Sequence, residues 1–431
     1  MSWQHTTLRN VAEIDLGRQR SPEHANGPNM VPYLRAANVM DGSLKLNDVL
    51  SMNFSPKEQP LYSLRYGDVL VTEGSGSLGS VGASAVYRSE LEGTVCFQNT
   101  LLRVRPRADI DGRFLGWWTR SAFESGLFAA IATGANIYHI SAERVRMLDI
   151  SVPTLQEQLR IADFLDAETT RIDNLVSALD RKLGLLVERR STGVAYHVVN
   201  GDASERRRST LPWVTTIPTH WEEPRLGLVA HMGSGHTPSR SKPEWWVDCT
   251  IPWVTTGEVR QLREDRLEDL VDTREKISEL GMANSAAELH PKGTVFLCRT
   301  ASAGYSGVMG TDMATSQDFV TWTCGPRLNP YYLLWCLRAM RPDLLGRLAT
   351  GSTHLTIYVP DLQMLRIPLP SVEEQQKLVD RIRRQNRQID SMVDKVRRQV
   401  ELMKERRQAL ITAAVTGQID VSTASGRGIE E

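Results

Sequence analysis

Two stretches of this chain, 217 positions apart, spell the same long helix. TLQEQLRIADFLDAETTRIDNLVSALDRKLGLLVERR occupies 154–190, and SVEEQQKLVDRIRRQNRQIDSMVDKVRRQVELMKERR occupies 371–407. In the first, apolar residues fall in alternating steps of four and three, at Ile161, Leu165, Ile172, Leu175, Leu179 and Leu186. In the second, Leu378, Ile382, Ile389, Met392, Val396 and Met403 hold the same places. Glu168 and Lys182 interrupt the first seam, and Gln385 and Gln399 interrupt the second at equivalent points. This period is that of a coiled coil, in which polar seam residues fix register at a cost in stability. Each helix of about 37 residues would be roughly 55 Å long. The simplest partner for each helix is the other, and a two-fold relation between the copies would run them antiparallel.

The repeat reaches upstream of the helices and so constrains the whole architecture. ATGANIYHISAERVRMLDISVP (132–153) answers ATGSTHLTIYVPDLQMLRIPLP (349–370) at the same offset. Further back the offset drifts by a few residues. Phe114-Leu115 and Trp117 answer Tyr332-Leu333 and Trp335, and Gln98 answers Gln317. Pro32-Tyr33 answers Pro252-Trp253, and Trp3 with Leu8 answers Trp221 with Leu226. A chain of 431 residues is in any case too long for one ordinary core. The reading is therefore α+β: a tandem duplication of a mixed domain followed by a long helix, with the two helices pairing as an antiparallel coiled coil about a pseudo-two-fold axis. The boundaries are a mixed domain over 1–153, a helix over 154–200, a connector over 201–220, a second mixed domain over 221–370, a second helix over 371–417 and a polar tail over 418–431. VAYHVVNG (194–201) departs from the ending of the second copy, so the first helix is expected to end earlier or to pack differently.

Inside the mixed domains DVLVTE (68–73), GASAVY (82–87) and TVFLC (294–298) read as strands. DGRFLGWWTRSAFESGLF and NPYYLLWCLRAM read as helices capped by Asp111 and Asn329. There is no regular alternation of strand and helix. The adjacent Trp245 and Trp246 read as a partly buried pair.

Composition and motifs narrow the chemistry. With 41% apolar and 24% charged residues the chain has the make-up of a soluble globular protein. No apolar run approaches the roughly 18 residues of a membrane span, and MSWQHTTLRN lacks the regions of a signal peptide. A cytoplasmic protein is expected. The five cysteines show no Cys-x-x-Cys and the nine histidines no His-Glu-x-x-His, so neither pattern supports a metal site. The formal charge is zero, but positions 376–407 carry eleven basic residues against five acids. Arg383, Arg384, Arg387, Arg397 and Arg398 could face a polyanion, although a solvated face is the simpler reading.

GSGSLG (74–79) satisfies Gly-x-Gly-x-x-Gly after a strand, but SVGASAVY follows as another strand, where a dinucleotide site needs a helix. NPYY (329–332) is close to the Asn-Pro-Pro-Tyr of amino-methyltransferases without its second proline, and reads better as a helix start. No phosphate loop and no paired-carboxylate nuclease pattern is present, so catalysis is not expected of this chain.

Taken together, the helix entries from Pro153 to Gln158 and Pro370 to Gln375, the Ile172-Asp173 and Ile389-Asp390 pairs, the Glu-Arg-Arg ends and LITAAVTGQID (410–420) resemble the specificity subunit of type I restriction-modification systems. The resemblance covers nearly the whole chain. It implies two target-recognition domains, each reading half of a bipartite double-stranded DNA sequence, with the coiled coil setting their spacing. It further implies two docked methyltransferase subunits and, in the full complex, restriction/translocase subunits, in a prokaryotic cytoplasm and away from membranes. S-adenosylmethionine, ATP and magnesium would belong to those partners, with no cofactor held by this chain.

Base edges are read by forked donors and side-chain amides, while hydroxyls and main-chain amides hold phosphates. Gly-flanked loops of the first domain offer Arg18, Arg20, Arg35, Asn38, Ser75, Ser77, Asn136, Tyr138 and His139. Those of the second offer His236, Ser239, Arg240, Thr255, Thr256, Glu258, Arg260, Arg299, Thr300, Tyr305, His354 and Thr356. Each alone is an ordinary turn residue; their recurrence at repeat-equivalent loops singles out the group. A rival class is a coiled-coil adaptor for protein partners that touches no nucleic acid.

Overall fold

The computed structural model describes residues 3–351 and 354–421. The chain divides into two compact units, one formed by 1–180 with 398–431 and the other by 181–397. Each unit therefore takes part of both long helices.

In the first unit, strands β1 (Gln4–Thr7), β2 (Ala12–Leu16), β3 (Val69–Thr72), β4 (Ser84–Val86), β5 (Leu101–Pro106) and β6 (Asp149–Val152) accompany helix α1 (Gly112–Glu124) and the first long helix, α2 (Leu155–Asn200). The central sheet has the order β2-β5-β3-β4, antiparallel throughout. Its inner strands, β3 and most of β5, are buried on both faces, while the edge strand β2 keeps one face open. Val69, Val71, Leu102 and Val104 pack with Phe114 and Leu115 of α1 and with Ile161 and Leu165 of α2. Leu70, Ala85 and Leu101 join Phe97 on the other side. That double burial explains why these strands read as apolar runs.

The second unit repeats the plan. Strands β7 (Ala230–Ser234), β8 (Asp269–Leu270), β9 (Val295–Cys298), β10 (Ser306–Met309) and β11 (Phe319–Cys324) form a sheet of order β7-β11-β9-β10-β8. Helix α3 (Pro330–Asp343) and the second long helix, α4 (Val372–Val415), pack on it. Asp111 caps α1 by accepting from the amides of Arg113 and Phe114, and Asn329 caps α3 by accepting from those of Tyr331 and Tyr332. Gln158 and Gln375, both fully buried, lock these caps. Each accepts from the cap residue's amide, at 2.8 and 2.7 Å, and donates to the carbonyls of Pro153 and Pro370. The repeated Pro-to-Gln entries are thus the joints between domain and helix.

Within each unit the long helices run antiparallel. In the first, Arg407 of α4 meets Asp173 of α2 at 3.1 Å, and Ile411, Ala414 and Val415 share a core with Leu165 and Ile161. In the second, Arg190 of α2 meets Asp390 of α4 at 3.0 Å and His197 meets Gln385 at 2.8 Å. The sequence motifs Ile-Asp and Glu-Arg-Arg are therefore partners across the helix pair.

Four expectations need correction. Leu175 and Met392 are about half exposed, at 47% and 48%, while the neighbouring Val393 is 3% exposed and Val176 half-buried. The seam steps from Ile172 to Val176 and from Ile389 to Val393. Its polar members are Thr169 and Asn386, both buried, in place of Glu168 and Gln385. Helix α2 does not stop early: VAYHVVN is helical to Asn200, and Val194 and Val198 enter the second unit's core. The connector over 201–220 is not a bare link, because Arg206–Arg208 pairs with Thr216–Pro218 and Leu211 and Ile217 are buried. Finally, Arg383 and Arg397 are ion-paired with Glu268 and Glu264, so this helix face is not simply solvated. Of the tail, 422–431 lies outside the described residues. Among the described residues no helix is long and apolar enough to cross a membrane.

Candidate nucleic-acid interface

The loops at one end of each central sheet are stitched together by main-chain hydrogen bonds. In the first unit the loop after β2 bonds to the segment before β5, with Gly17 N to Leu101 O and Arg18 N to Phe97 O at 3.1 Å. Gly17 is required there, since a Cβ would lie 2.2 Å from Gln98 O. Gln98 N reaches Leu34 O, Ala36 N donates to Thr100 Oγ1, and Glu73 N reaches Thr100 O. The 133–139 loop closes on itself through Thr133 and His139 and pairs with Gly74 and Ser75. Five loops thus converge.

The second unit builds the same cluster. His236 N bonds to Thr315 O at 3.0 Å, Ser316 N to Val254 O at 2.9 Å and Arg299 N to Asp318 O at 2.7 Å. Thr356 bridges both Thr300 and Thr350, as His139 closes on Thr133 in the first unit. Gly235 takes the role of Gly17, its absent Cβ falling 2.2 Å from the carbonyls of Thr315 and Ser316. GSGSLG is part of this cluster: Gly74-Ser75 is a short strand, followed by a single 3-10 turn at Leu78–Ser80 and then strand β4, with no α-helix between.

On these loops Arg20, Ser77, Asn136 and His139 are exposed, with Ser75 and Tyr138 half-buried; His139 Nδ1 lies 3.1 Å from Glu73. His236, Ser239, Arg240, Thr256, Arg260 and His354 are exposed in the second unit, with Thr255, Arg299, Thr300 and Thr356 half-buried. Arg299 Nε is turned back to the carbonyl of Gln317 at 3.0 Å. Arg240 lies flat on Trp246, 3.9 Å from the ring centre, and is steered by Glu275 at 2.8 Å. Trp246 is itself fixed by an edge contact with buried Trp253, so Trp245-Trp246 is a half-buried pair that carries a cation.

Three of the expected residues are buried and bonded internally, not presented on the loop surface. Arg18 is 7% exposed, held by Glu58 at 2.8 Å and the Asn53 carbonyl, above the Phe54 ring. Asn38 is buried, its amide spent on the carbonyls of Lys45 and Asp48 and the amide of Arg35. Glu258 is buried, accepting from Arg274 N and Gln261. Arg35 is half-buried against Asp48, and Tyr305 is half-buried beneath Arg341. Sequence reasoning also passed over exposed Leu78 and Ile137, apolar tips beside Ser77 and Asn136 whose only signal is being apolar in a polar loop.

Two copies of one sheet-and-loop unit, each packed on part of both long helices, with matching loop ends and different loop side chains, define an internally duplicated protein. The sequence matches the profile of the Type I restriction modification DNA specificity domain over residues 1–178 and again over 218–402, and the chain belongs to that family. It is 22% identical to a putative type I restriction enzyme MjaX specificity subunit of Methanocaldococcus jannaschii, over 98% of this chain and 94% of that one. It is 27% identical to the EcoKI specificity subunit of Escherichia coli over 42% of this chain and 38% of that one. The fold is similar to a chain from a structural study of complex assembly and conformational transition of the type I R-M system, with TM-score 0.76, 18% identity, and 97% and 98% of the two chains covered. A crystal structure of the HsdS subunit from Thermoanaerobacter tengcongensis gives TM-score 0.58 at 20% identity over 97% of each chain.

Proposed function

We propose that this chain is the non-catalytic specificity subunit of a type I restriction-modification complex, reading a bipartite double-stranded DNA target with one half-site per unit. The observation that carries the reading is the convergence of five loops at the same end of the same sheet in both units. The scaffold is repeated there while the exposed side chains differ, which suits two readers of unlike half-sites better than two identical adaptor arms. Loop main chain and hydroxyls would hold phosphates, and the exposed Arg240, Arg260, Asn136 and His236 would reach base edges.

The antiparallel helix pair serves in this reading as the spacer, and methyltransferase subunits dock on it. Exposed apolar residues recur off the seam at the repeat offset, as Leu155 with Val372, Leu175 with Met392 and Leu185 with Leu402. Duplicated apolar positions support two copies of one protein partner. S-adenosylmethionine, ATP and magnesium would be bound by the methyltransferase and restriction subunits in a prokaryotic cytoplasm.

The test is methyl transfer from labelled S-adenosylmethionine to random-sequence DNA. Added methyltransferase subunits should label a defined bipartite sequence only when this chain is present. Labelling by this chain alone would make it an enzyme, and sequence-independent labelling would favour the adaptor.

A further inference from the structure

In the second unit one loop residue is gripped from three directions. Asp265 has φ 55°, a left-handed backbone that aspartate tolerates better than most side chains. Its carbonyl accepts from Arg190 Nη2 of α2 at 2.9 Å and from Arg338 Nη1 of α3 at 2.7 Å. Its carboxylate takes both terminal nitrogens of Arg341, at 3.0 and 2.6 Å. Arg190 then uses its Nε on Asp390 of α4. The same loop sends Glu268 to Arg383, Arg266 to Asp394 and Glu264 to Arg397. Arg338 is 7% exposed, and burial pulls its guanidinium down to about 10.

The first unit carries a looser form of the arrangement at the equivalent place, built on ion pairs. Arg407, the counterpart of Arg190, reaches Asp173 of α2 at 3.1 Å and Glu124 at the end of α1 at 3.8 Å. Arg120, the counterpart of Arg338, is 9% exposed and binds Asp41 at 3.2 Å. The neighbouring Gly42 has φ 80°, and a Cβ on it would fall 2.5 Å from that guanidinium. Cavities of about 460 and 630 Å³ open beside these groups in the two units.

Ion pairs of this kind, largely buried between Arg190 and Asp390 and more open between Arg407 and Asp173, add little net stability compared with apolar packing. Their distinguishing property is direction: a planar fork holds its partner at one angle, where an apolar contact allows sliding. We propose that Arg190 and Arg407 are positioning residues that fix the angle at which each recognition domain leaves the helix pair, and thereby the spacer length the subunit accepts. The inference rests on the two-domain DNA reading above. Base pairs rise about 3.4 Å, so a tilt moving the reading loops by that distance shifts the preferred spacer by one pair.

The test uses the assembly with methyltransferase subunits and a DNA library with fixed half-sites and variable spacer length. Arg190→Gln, Asp390→Asn, Arg407→Gln and Asp173→Asn should each lower the preference for the best spacer over its neighbours several-fold while leaving half-site sequence unchanged. The double variant Arg190→Gln/Asp390→Asn should do no more than either single change. Arg190→Lys and Arg407→Lys keep the charge and lose the fork, so they should broaden the spacer distribution without lowering the melting temperature. An unchanged, sharp spacer preference in the lysine variants overturns the proposal. If the parent protein itself shows no spacer preference, the bipartite reading fails instead.

Discussion

Arg240 has what the proposed reading asks of a side chain: a guanidinium held in place and still largely open to solvent. Stacking on Trp246 and the ion pair to Glu275 limit its motion, yet 61% of its side chain is open. In the methyltransferase assembly Arg240→Ala should cost about 1–3 kcal/mol at one base position of one half-site, as a lost bidentate base contact does. Quantitative binding to single-base variants of the target checks this; an equal loss on every sequence would make it a phosphate contact. Arg299→Ala should instead act through loop order, since its Nε is spent on Gln317 O. Glu124 belongs to a different chemistry. Burial, and then the neighbouring Asp41, push its carboxyl up from 4.5 to about 7, against the pull of Arg120 and Arg407. An acid whose folded pKa lies above its unfolded one costs stability as pH rises through that interval, with the full cost above pH 7. Glu124→Gln should therefore raise the melting temperature above pH 7, with the gain fading toward pH 4.5. No sequence pattern marked Arg18, Asn38 or Glu258 as structural. A polar residue in a Gly-flanked loop looks the same whether it faces solvent or fills the space beneath the loop, and only burial separates the two.

At the level of elements, the long helices were legible because periodicity over many turns is a strong signal, and the seam's phase was only half legible. Ile172, Leu179 and Leu186 belong to it under either choice of intervening residue. Leu175 and Val176, or Met392 and Val393, are both apolar, so the pattern could not say which of each pair faces inward. The buried choice predicts that Val393→Asp destabilises the protein by about 3–5 kcal/mol, the cost of an uncompensated buried charge. Met392→Asp should stay within about 0.5 kcal/mol in the isolated subunit yet weaken methyltransferase binding. Denaturant titration and pull-down of the partner give the two readouts. Asn386 is 4% exposed with both amide atoms unpaired. Asn386→Leu should add about 1–3 kcal/mol by removing that desolvation penalty, at the expense of register specificity. The buried glutamines were visible as motifs, but their work as locks on Asp111 and Asn329 was not, because the partners lie 47 and 46 positions away.

For the whole molecule the testable quantity is length. Inserting four residues after Leu179 and after Val396 should separate the recognition domains by up to roughly 6 Å at 1.5 Å per residue. The preferred spacer should then lengthen by one or two base pairs at about 3.4 Å each, with both half-sites unchanged. A four-residue stutter also unwinds the seam locally, so some affinity should be lost. Selection from a library of randomised spacers decides the matter: an inserted protein that binds well at the original spacing rules out the helices as the measuring element. The duplication made this architecture readable from sequence, since two copies of one pattern reinforce each other. The repeat marked Arg190 with Arg407 and Asp173 with Asp390, but not the loop acids that join them, because Asp41 and Asp265 lie far from the helices in sequence.

The strand pair β1–β6 bears on how such a protein changes over generations. Gln4 lies opposite Val152 and Thr7 opposite Asp149, so the first recognition domain begins and ends at neighbouring points. Glu222 and Leu369 do the same for the second. Everything between those points is, geometrically, a closed excursion from the helix pair. Mutation or wholesale exchange inside the excursion leaves its two doorposts in place, so on the proposed reading a lineage would acquire a new target while keeping the surfaces its partners dock on.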